Sequence, residues 1–181
     1  HGYNEGRHGI STKGNGHWIV GGRTGPKRPN MWETSLAVPL IVRWPGRVEP
    51  GTRVDAMVSH LDWFRTMLGA LDVPVPEGSR ARGIDFSPLL RGESIEPREE
   101  LFGQYDLHNN GLAFLRMVRT DRYKYVRHCK TNFMDELYDL QADPDESVNL
   151  ARRSDSADVL AQLDARLQAW MVEIGDPMAG Q

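Results

Sequence analysis

Three ionisable side chains stand close together at the start of the chain, in a stretch rich in glycine. His1, His8 and Lys13 are spread along the sequence HGYNEGRHGISTKGNG. A histidine can bind a metal ion or transfer a proton near neutral pH, and a lysine ammonium can stabilise charge that develops on an anionic substrate. Glycines let the backbone approach a ligand closely. The pattern predicts part of an active site whose other groups lie elsewhere.

The first residue and the composition of the chain indicate which classes of protein it can belong to. The first of its 181 residues is a histidine, so we expect the C-terminal piece of a longer protein. The net charge of −3 does not favour a nucleic-acid surface. No run approaches the roughly 20 apolar residues of a membrane span. We therefore expect neither nucleic acid nor a membrane as a partner.

The only cysteine, Cys129, lies among basic residues in the sequence Arg127-His128-Cys129-Lys130. Such neighbours can lower the pKa of a thiol. A single cysteine beside basic residues is more often incidental, and this is our interpretation. An intrachain disulfide is excluded.

The first half of the chain predicts a loop, a strand and a helix. Residues 1–35 are glycine-rich and short of apolar periodicity, which is typical of a loop. Residues 38–44 form an apolar run closed by a Pro-Gly pair, as in a strand buried on both faces. Ser59 is a predicted N-cap with Asp62 three residues on. The helical face that we expect to be buried consists of Leu61, Phe64, Leu68 and Leu71.

The second half predicts a small antiparallel sheet covered by a helix. Residues 113–119 and 123–127 carry strand-forming residues around a short turn, and residues 136–140 predict a third strand. Arg119, Arg122 and Lys124 on the hairpin are interpreted as a solvated surface, with a basic rim as the alternative. The apolar residues with helical spacing are Leu160, Leu163, Leu167, Trp170 and Ile174, with Ser154 or Ser156 as the cap.

Five blocks of the sequence together carry a family resemblance. In chain order they are HGYNEGRHGISTKGNG, MWETSLAVPLIVRWPG, VSHLDWFRTMLGALDV, FLRMVRTDRYKYV and ELYDLQADPDESVNLA. They resemble the C-terminal third to half of a sulfatase, a family of the alkaline-phosphatase-like superfamily. The resemblance implies an α/β fold, with the C-terminal part of the sulfatase sheet domain over residues 1–95. A small C-terminal subdomain, an antiparallel sheet plus a helix, would occupy residues 96–181.

The resemblance also implies roles for single residues. His1-Gly2 resembles the end of the family's metal-binding turn, so His1 would contact calcium or another divalent cation. Calcium prefers oxygen ligands, so the alternatives are a position in the outer shell of the cation or a bond to the sulfate. Lys13 would bind the sulfate oxygens as the catalytic lysine, and Lys27 competes for that position. His8 and His108, the latter on a predicted loop ahead of the hairpin, would contact substrate.

The chain departs from the family in one essential motif. Sulfatases act through a formylglycine made in a Cys/Ser-x-Pro-x-Arg sequence, and the chain has none. The formylglycine is therefore expected upstream, in the N-terminal part of the same protein, and the present chain would supply one wall of a site for a small-molecule or saccharide sulfate ester. Two alternatives remain open: a phosphodiesterase or phosphonate hydrolase of the same superfamily, and a non-catalytic fragment.

Overall fold

The computed structural model describes residues 12–14, 18–20, 30–108, 111–130 and 133–180. The chain divides into two compact units. The first consists of His1–Pro39 and Glu100–Gln181, and the second of Leu40–Glu99. Strands and helices are both present, which confirms the predicted α/β class. Within the described residues no helix is long and apolar enough to cross a membrane.

The first unit is built on a four-stranded antiparallel sheet with strand order β3-β4-β5-β6. The strands are β3 Glu100–His108, β4 Gly111–Thr120, β5 Tyr123–His128 and β6 Glu136–Asp139. Strands β4 and β5 form the predicted hairpin, with Arg119 paired to Lys124 across the turn. Strand β6 is the predicted third strand. The three predicted strands are thus confirmed.

Strand β3 was not predicted, and the loop that we expected around His108 is wrong. His108 ends β3 and pairs with Gly111, beyond a register shift between Asp106 and His108. The strand lies at the edge of the sheet, where Gln104 and Asp106 are exposed. Polar residues are tolerated at such positions, and they mask the apolar alternation that identifies a strand in sequence.

One face of the sheet is covered by helix α4, Ala157–Glu173, which confirms the predicted C-terminal helix. The residues that form this core are buried side chains of both elements: Val118, Tyr125, Cys129, Leu137, Leu163, Leu167, Met171 and Met178. Neighbouring residues of a strand point to opposite faces, so the remaining side chains of the same strands need a second cover.

The opposite face of the sheet is covered by residues 30–36, which we name the cover segment. It contains the short helix α1, Glu33–Leu36. Met31 is 2% exposed and packs with Leu115, Met117 and Val126 of strands β4 and β5. A segment far from the sheet in sequence thus completes its core.

The N-terminal stretch predicted as loop also contains two short strands. Strands β1 Thr12–Gly14 and β2 Trp18–Val20 pair antiparallel, with Lys13 opposite Ile19. β-Branched and aromatic residues favour strands, and Thr12, Trp18, Ile19 and Val20 are of these types.

The predicted strand over residues 38–44 is not formed. The structure has no strand there, and Ile41 is 89% exposed while Leu40 is 51% exposed. A strand exists only through hydrogen bonds to a neighbour, and in the described part of the chain no strand pairs with these residues.

The second unit contains a one-turn 3-10 helix, His60–Asp62, that continues into α2, Trp63–Ala70, and a further short helix α3, Ser87–Leu90. Ser59 caps the 3-10 turn as predicted. Its hydroxyl accepts a hydrogen bond from the Leu61 amide, and Asp62 accepts one from the Ser59 amide. The two bonds form a capping box.

The predicted buried face of α2 is wrong in its orientation. Leu61 is 60% exposed and Leu71 58% exposed, and Phe64 is exposed as well. The buried residues of α2 are instead Thr66 and Ala70, together with Asp62 of the preceding 3-10 turn. Asp62 is buried because Arg98 binds its carboxylate with two hydrogen bonds, which offsets the loss of water around the charge.

Candidate functional site

The predicted site residues are only partly within the described chain. His1, His8 and Lys27 lie outside the described residues. Lys13 lies in strand β1, and His108 lies at the end of strand β3. The contacts of these two candidates with a substrate therefore stay predictions. Among the described residues, no three His, Cys, Asp or Glu side chains are grouped so that they could hold a metal ion.

The cover segment, which begins three residues after Lys27 in sequence, is fixed to the sheet by two buried ions. The Nζ atom of Lys124 donates to the carbonyl oxygen of Met31 at 2.9 Å and to Oε1 of Glu146 at 2.7 Å. The other carboxylate oxygen of Glu146 accepts a hydrogen bond from the backbone amide of Glu33 at 2.6 Å. The ions thus hold the backbone on both sides of Trp32.

The Glu33 side chain joins the same cluster. Its Oε1 lies 2.7 Å from Nζ of Lys124 and 3.3 Å from Nε of Arg119. Burial alone would raise the pKa of Glu33, but the two cations hold that pKa below its ordinary value. For Glu146 burial dominates, and its pKa is raised despite the nearby Lys124 ammonium. Two carboxylates that share one lysine therefore differ in the sign of their pKa shifts.

A second polar chain starts from the side chain of Trp32. The indole Nε1 donates to the hydroxyl of Tyr138 at 3.2 Å, and this hydroxyl donates to Oε2 of Glu136 at 2.8 Å. The other oxygen of Glu136 lies 2.7 Å from Nε2 of His128. Burial is the main cause of a raised pKa of the Tyr138 hydroxyl, which therefore stays protonated as a donor.

The end of β3 that carries His108 is held by a buried arginine. The guanidinium of Arg116 is fully buried and binds Asp106 at 2.6 Å and 3.2 Å. Its other edge binds Asp176 beyond helix α4, in part at 3.0 Å. The Arg116 hydrogen bonds hold the pKa of Asp176 below its ordinary value. One arginine thus ties the edge strand to the C-terminal turn.

Cys129 is buried against the α4 side of the sheet. Burial raises the pKa of its thiol, and the effect exceeds that of the nearby Arg116 and Arg127. The structure therefore supports the interpretation of an incidental cysteine over that of an activated one.

Sequence reasoning placed Lys124 on a solvated hairpin, and this is wrong: the residue is fully buried. Arg122, whose side chain is 54% exposed, does fit the solvated interpretation. Lys124 lies between Tyr123 and Tyr125 in strand β5. The sequence interpretation did not include that this strand is covered on both faces. The acidic partner Glu146 lies in the block ELYDLQADPDESVNLA, and nothing local marks it as buried.

Comparison with known proteins identifies the family. Residues 26–173 match the family model described as N-sulphoglucosamine sulphohydrolase, C-terminal. An ulvan-active sulfatase from Formosa agariphila is 28% identical over an alignment of 174 positions, which covers 80% of this chain and 34% of that sulfatase. The chain spans about a third of the length of the curated relatives that it matches.

Two solved structures share the fold. One is a protein in complex with its substrate D-glucosamine-2-N,6-O-disulfate, with a TM-score of 0.68 and 22% identity over 78% of this chain and 30% of that one. The other is the phosphonate monoester hydrolase of Agrobacterium radiobacter, with a TM-score of 0.55 and 27% identity over 66% of this chain and 26% of that one. With the family model matching most of its length, the chain belongs to the sulfatase family and corresponds to a sulfatase C-terminal portion.

Proposed function

We propose that the protein is a sulfuric ester hydrolase and that this chain supplies one wall of its active site. The family match over residues 26–173 is the observation that carries the proposal. The chain contains no Cys/Ser-x-Pro-x-Arg sequence. We therefore assign the formylglycine nucleophile to the N-terminal part of the same protein, and we expect the chain alone to be inactive.

Within this proposal each candidate residue has a chemical role. Lys13 neutralises charge that develops on the sulfate oxygens as the ester bond breaks, which is where a fixed cation gives most rate enhancement. His8, Lys27 and His108 contact the rest of the substrate. The glycines around Lys13 favour this assignment because they let the chain approach an anion closely.

A divalent cation, calcium before others, is the proposed cofactor, with His1 as its contact from this chain. We assign its remaining ligands to the N-terminal part of the same protein, since among the described residues no three His, Cys, Asp or Glu side chains are grouped to hold a metal ion. His1→Ala should weaken calcium binding at least about tenfold in a titration. An unchanged titration would remove His1 from the metal site.

The proposed substrate class is a sulfate ester on a saccharide or a small molecule. Support comes from an ulvan-active sulfatase and from a relative in fold whose solved structure holds a disulfated glucosamine. The comparison extends to the class of ester and not to a particular sugar, because the two proteins act on different saccharides.

The proposed macromolecular partner is the N-terminal part of the same protein. Exposed apolar residues of the second unit support it, among them Ile41, Leu61, Phe64 and Leu71. Soluble proteins rarely expose large contiguous apolar surfaces without a partner. We name this chain together with that N-terminal part the assembled protein.

The decisive test is an assay of the assembled protein with 4-nitrophenyl sulfate. Lys13→Ala should lower the rate by roughly 10²–10³, the scale for losing one charge contact in the transition state. Lys27→Ala should cost far less. If Lys27→Ala abolishes turnover while Lys13→Ala has no effect, the two lysines exchange roles.

A second candidate function is hydrolysis of phosphonate or phosphate diesters, since the phosphonate monoester hydrolase shares the fold at 27% identity. The same assembled protein should be assayed in parallel with 4-nitrophenyl phenylphosphonate. A higher kcat/KM for the phosphonate than for the sulfate would replace the first proposal by the second. Inactivity on both esters would favour the non-catalytic alternative.

A further inference from the structure

We infer that Lys124 and Glu146 are positioning residues, which fix the backbone around Trp32 on the C-terminal sheet and act on turnover through Lys27, three positions before the cover segment in sequence. The inference rests on the proposed function, in which Lys27 contacts the substrate. It assigns the C-terminal sheet a part in placing the site, through a segment from the other end of the sequence.

The contacts of the two ions are directed at backbone atoms. Lys124 donates to the Met31 carbonyl and Glu146 accepts from the Glu33 amide, at 2.9 Å and 2.6 Å. These two groups flank a single residue, Trp32. Apolar packing of Met31 alone would bury the segment without fixing its rotation or register, whereas two hydrogen bonds to its backbone fix both.

The cluster is costly to build, which argues against an incidental contact. Lys124 is fully buried and Glu146 is 2% exposed. Removing an ion pair from water carries a large free-energy cost, and apolar residues of similar volume often stabilise a fold as well or better. A buried pair directed at one loop is better explained by the position it imposes on that loop than by stability.

The backbone of Glu146 carries a second cost. Its φ angle is +53°, in the left-handed region that residues other than glycine seldom adopt. The residue lies in the turn after Asp143, and its amide donates a hydrogen bond to the Asp143 carbonyl oxygen. This conformation accompanies a buried side chain that reaches Lys124 and the cover segment. Local strain of this kind persists where surrounding structure imposes a needed geometry.

The experiment compares variants of the assembled protein. Lys124→Met with Glu146→Leu removes both charges together, so that neither is left buried without its partner. We expect kcat/KM for 4-nitrophenyl sulfate to fall by up to about tenfold, and by no more than in Lys27→Ala, because displacing a contact group cannot cost more than removing it. Hydrogen exchange of the Met31–Glu33 amides should become faster in the same protein.

The fall in rate should depend on Lys27. In a Lys27→Ala background the double change should cost little more, since residues that act through one another are not additive. In a Lys13→Ala background the full fall should remain. A merely structural role would lower the rate equally in both backgrounds, and that result would overturn the inference.

A matched control lies on the same strand. Arg127 pairs with Asp164 of helix α4 at 2.6 Å, on the side of the sheet away from the cover segment. Arg127→Met with Asp164→Leu should leave kcat/KM and the exchange at Met31–Glu33 unchanged. An equal fall in rate for both pairs would show that any weakening of the sheet has this effect, and the inference would fail.

A milder variant covers the case in which the double variant does not fold. Glu146→Gln keeps an oxygen for the Glu33 amide and loses the charge beside Lys124, so a smaller, still Lys27-dependent fall is expected. An unmodified assembled protein without sulfatase activity would contradict the proposed function. Unchanged hydrogen exchange of the Met31–Glu33 amides in the double variant would contradict the proposal that Lys124 and Glu146 fix this backbone.

Discussion

The C-terminal sheet and helix α2 distribute polar and apolar side chains in opposite ways. In the sheet and the turn after β6, the ions Arg116, Lys124 and Glu146 are buried, and apolar residues cover both faces of the sheet. In α2 and the 3-10 turn before it, the buried residues are Asp62, Thr66 and Ala70, while Leu61 and Phe64 are exposed. Both faces of the sheet are covered within the described chain, whereas the apolar residues Leu61 and Phe64 are left exposed.

The two regions also differ in the sequence separation between their buried charged residues and the groups that these residues bind. Asp62 binds Arg98 and the Ile84 amide, all within the second unit. Gly69 permits the close packing in that unit, because a Cβ atom there would lie 1.9 Å from the Asp85 carboxylate. Lys124 instead binds the Met31 carbonyl, 93 positions away. The Asp62 network connects residues within the second unit, whereas the Lys124 network connects segments that are far apart in sequence.

The largest effect that we expect comes from breaking the sheet network on one side only. Lys124→Met alone leaves Glu146 buried without its cation, which typically costs about 3–5 kcal/mol in the free energy of unfolding. Urea denaturation of the assembled protein measures it. The exposed pair of Arg153 and Asp155 provides the control, since Arg153→Ala should leave the midpoint unchanged. Equal midpoints for both variants would contradict the buried cluster.

A smaller effect should follow from the exposed face of α2. Phe64→Asp places a charge where we expect the N-terminal part to pack, and losing the burial of one phenylalanine costs about 1.5–3 kcal/mol. Co-purification of the two parts, with their dissociation constant, measures it. Val172→Asp, on an exposed position of α4, is the control. If both variants bind equally well, the partner does not cover Phe64.

The smallest effect distinguishes the two networks by pH. The Arg98 and backbone hydrogen bonds keep the pKa of Asp62 below 3.8 in spite of burial, so its stabilisation is present above pH 3.8 and lost as pH falls further. Burial raises the pKa of Glu146 above 4.5, so its contribution has the opposite sign and weakens as pH rises through that raised pKa. The contributions of Asp62 and Glu146 to stability should therefore change in opposite directions as the pH falls through the acid range.

Nuclear magnetic resonance can follow the titration of both carboxylates through the resonances of the amides that donate hydrogen bonds to them. The Ile84 amide donates to Asp62 and the Glu33 amide donates to Glu146. The Ile84 resonance should shift only below pH 3.8, whereas the Glu33 resonance should show an inflection above pH 4.5. A Glu33 resonance that shifts only below pH 4.5 would report its own carboxyl and contradict the raised pKa of Glu146.

The parts of the fold that were predicted are those determined by neighbours in sequence. The capping box at Ser59, the hairpin of β4 and β5, and helix α4 each follow from residues within a few positions. Such local signals are read correctly because the same short-range hydrogen bonds form in the folded protein. The family could likewise be identified from five short blocks.

The errors have a common cause in long-range contacts. The burial of Lys124 depends on the cover segment, and the exposure of Leu61 depends on what covers α2. The run over residues 38–44 has the composition of a central strand and no pairing strand in the described part of the chain. Composition and periodicity predict that a face is apolar, but they do not show which element covers it.

The position of Cys129 gives the protein a built-in reporter. It is the only thiol in the chain, it is buried in the core between the sheet and α4, and burial raises its pKa. A thiol reagent added in excess should therefore modify Cys129 only when the helix separates from the sheet. The rate of labelling then measures the rate of that opening, and no further probe has to be introduced. The opening of the first unit can then be followed separately from the behaviour of the second.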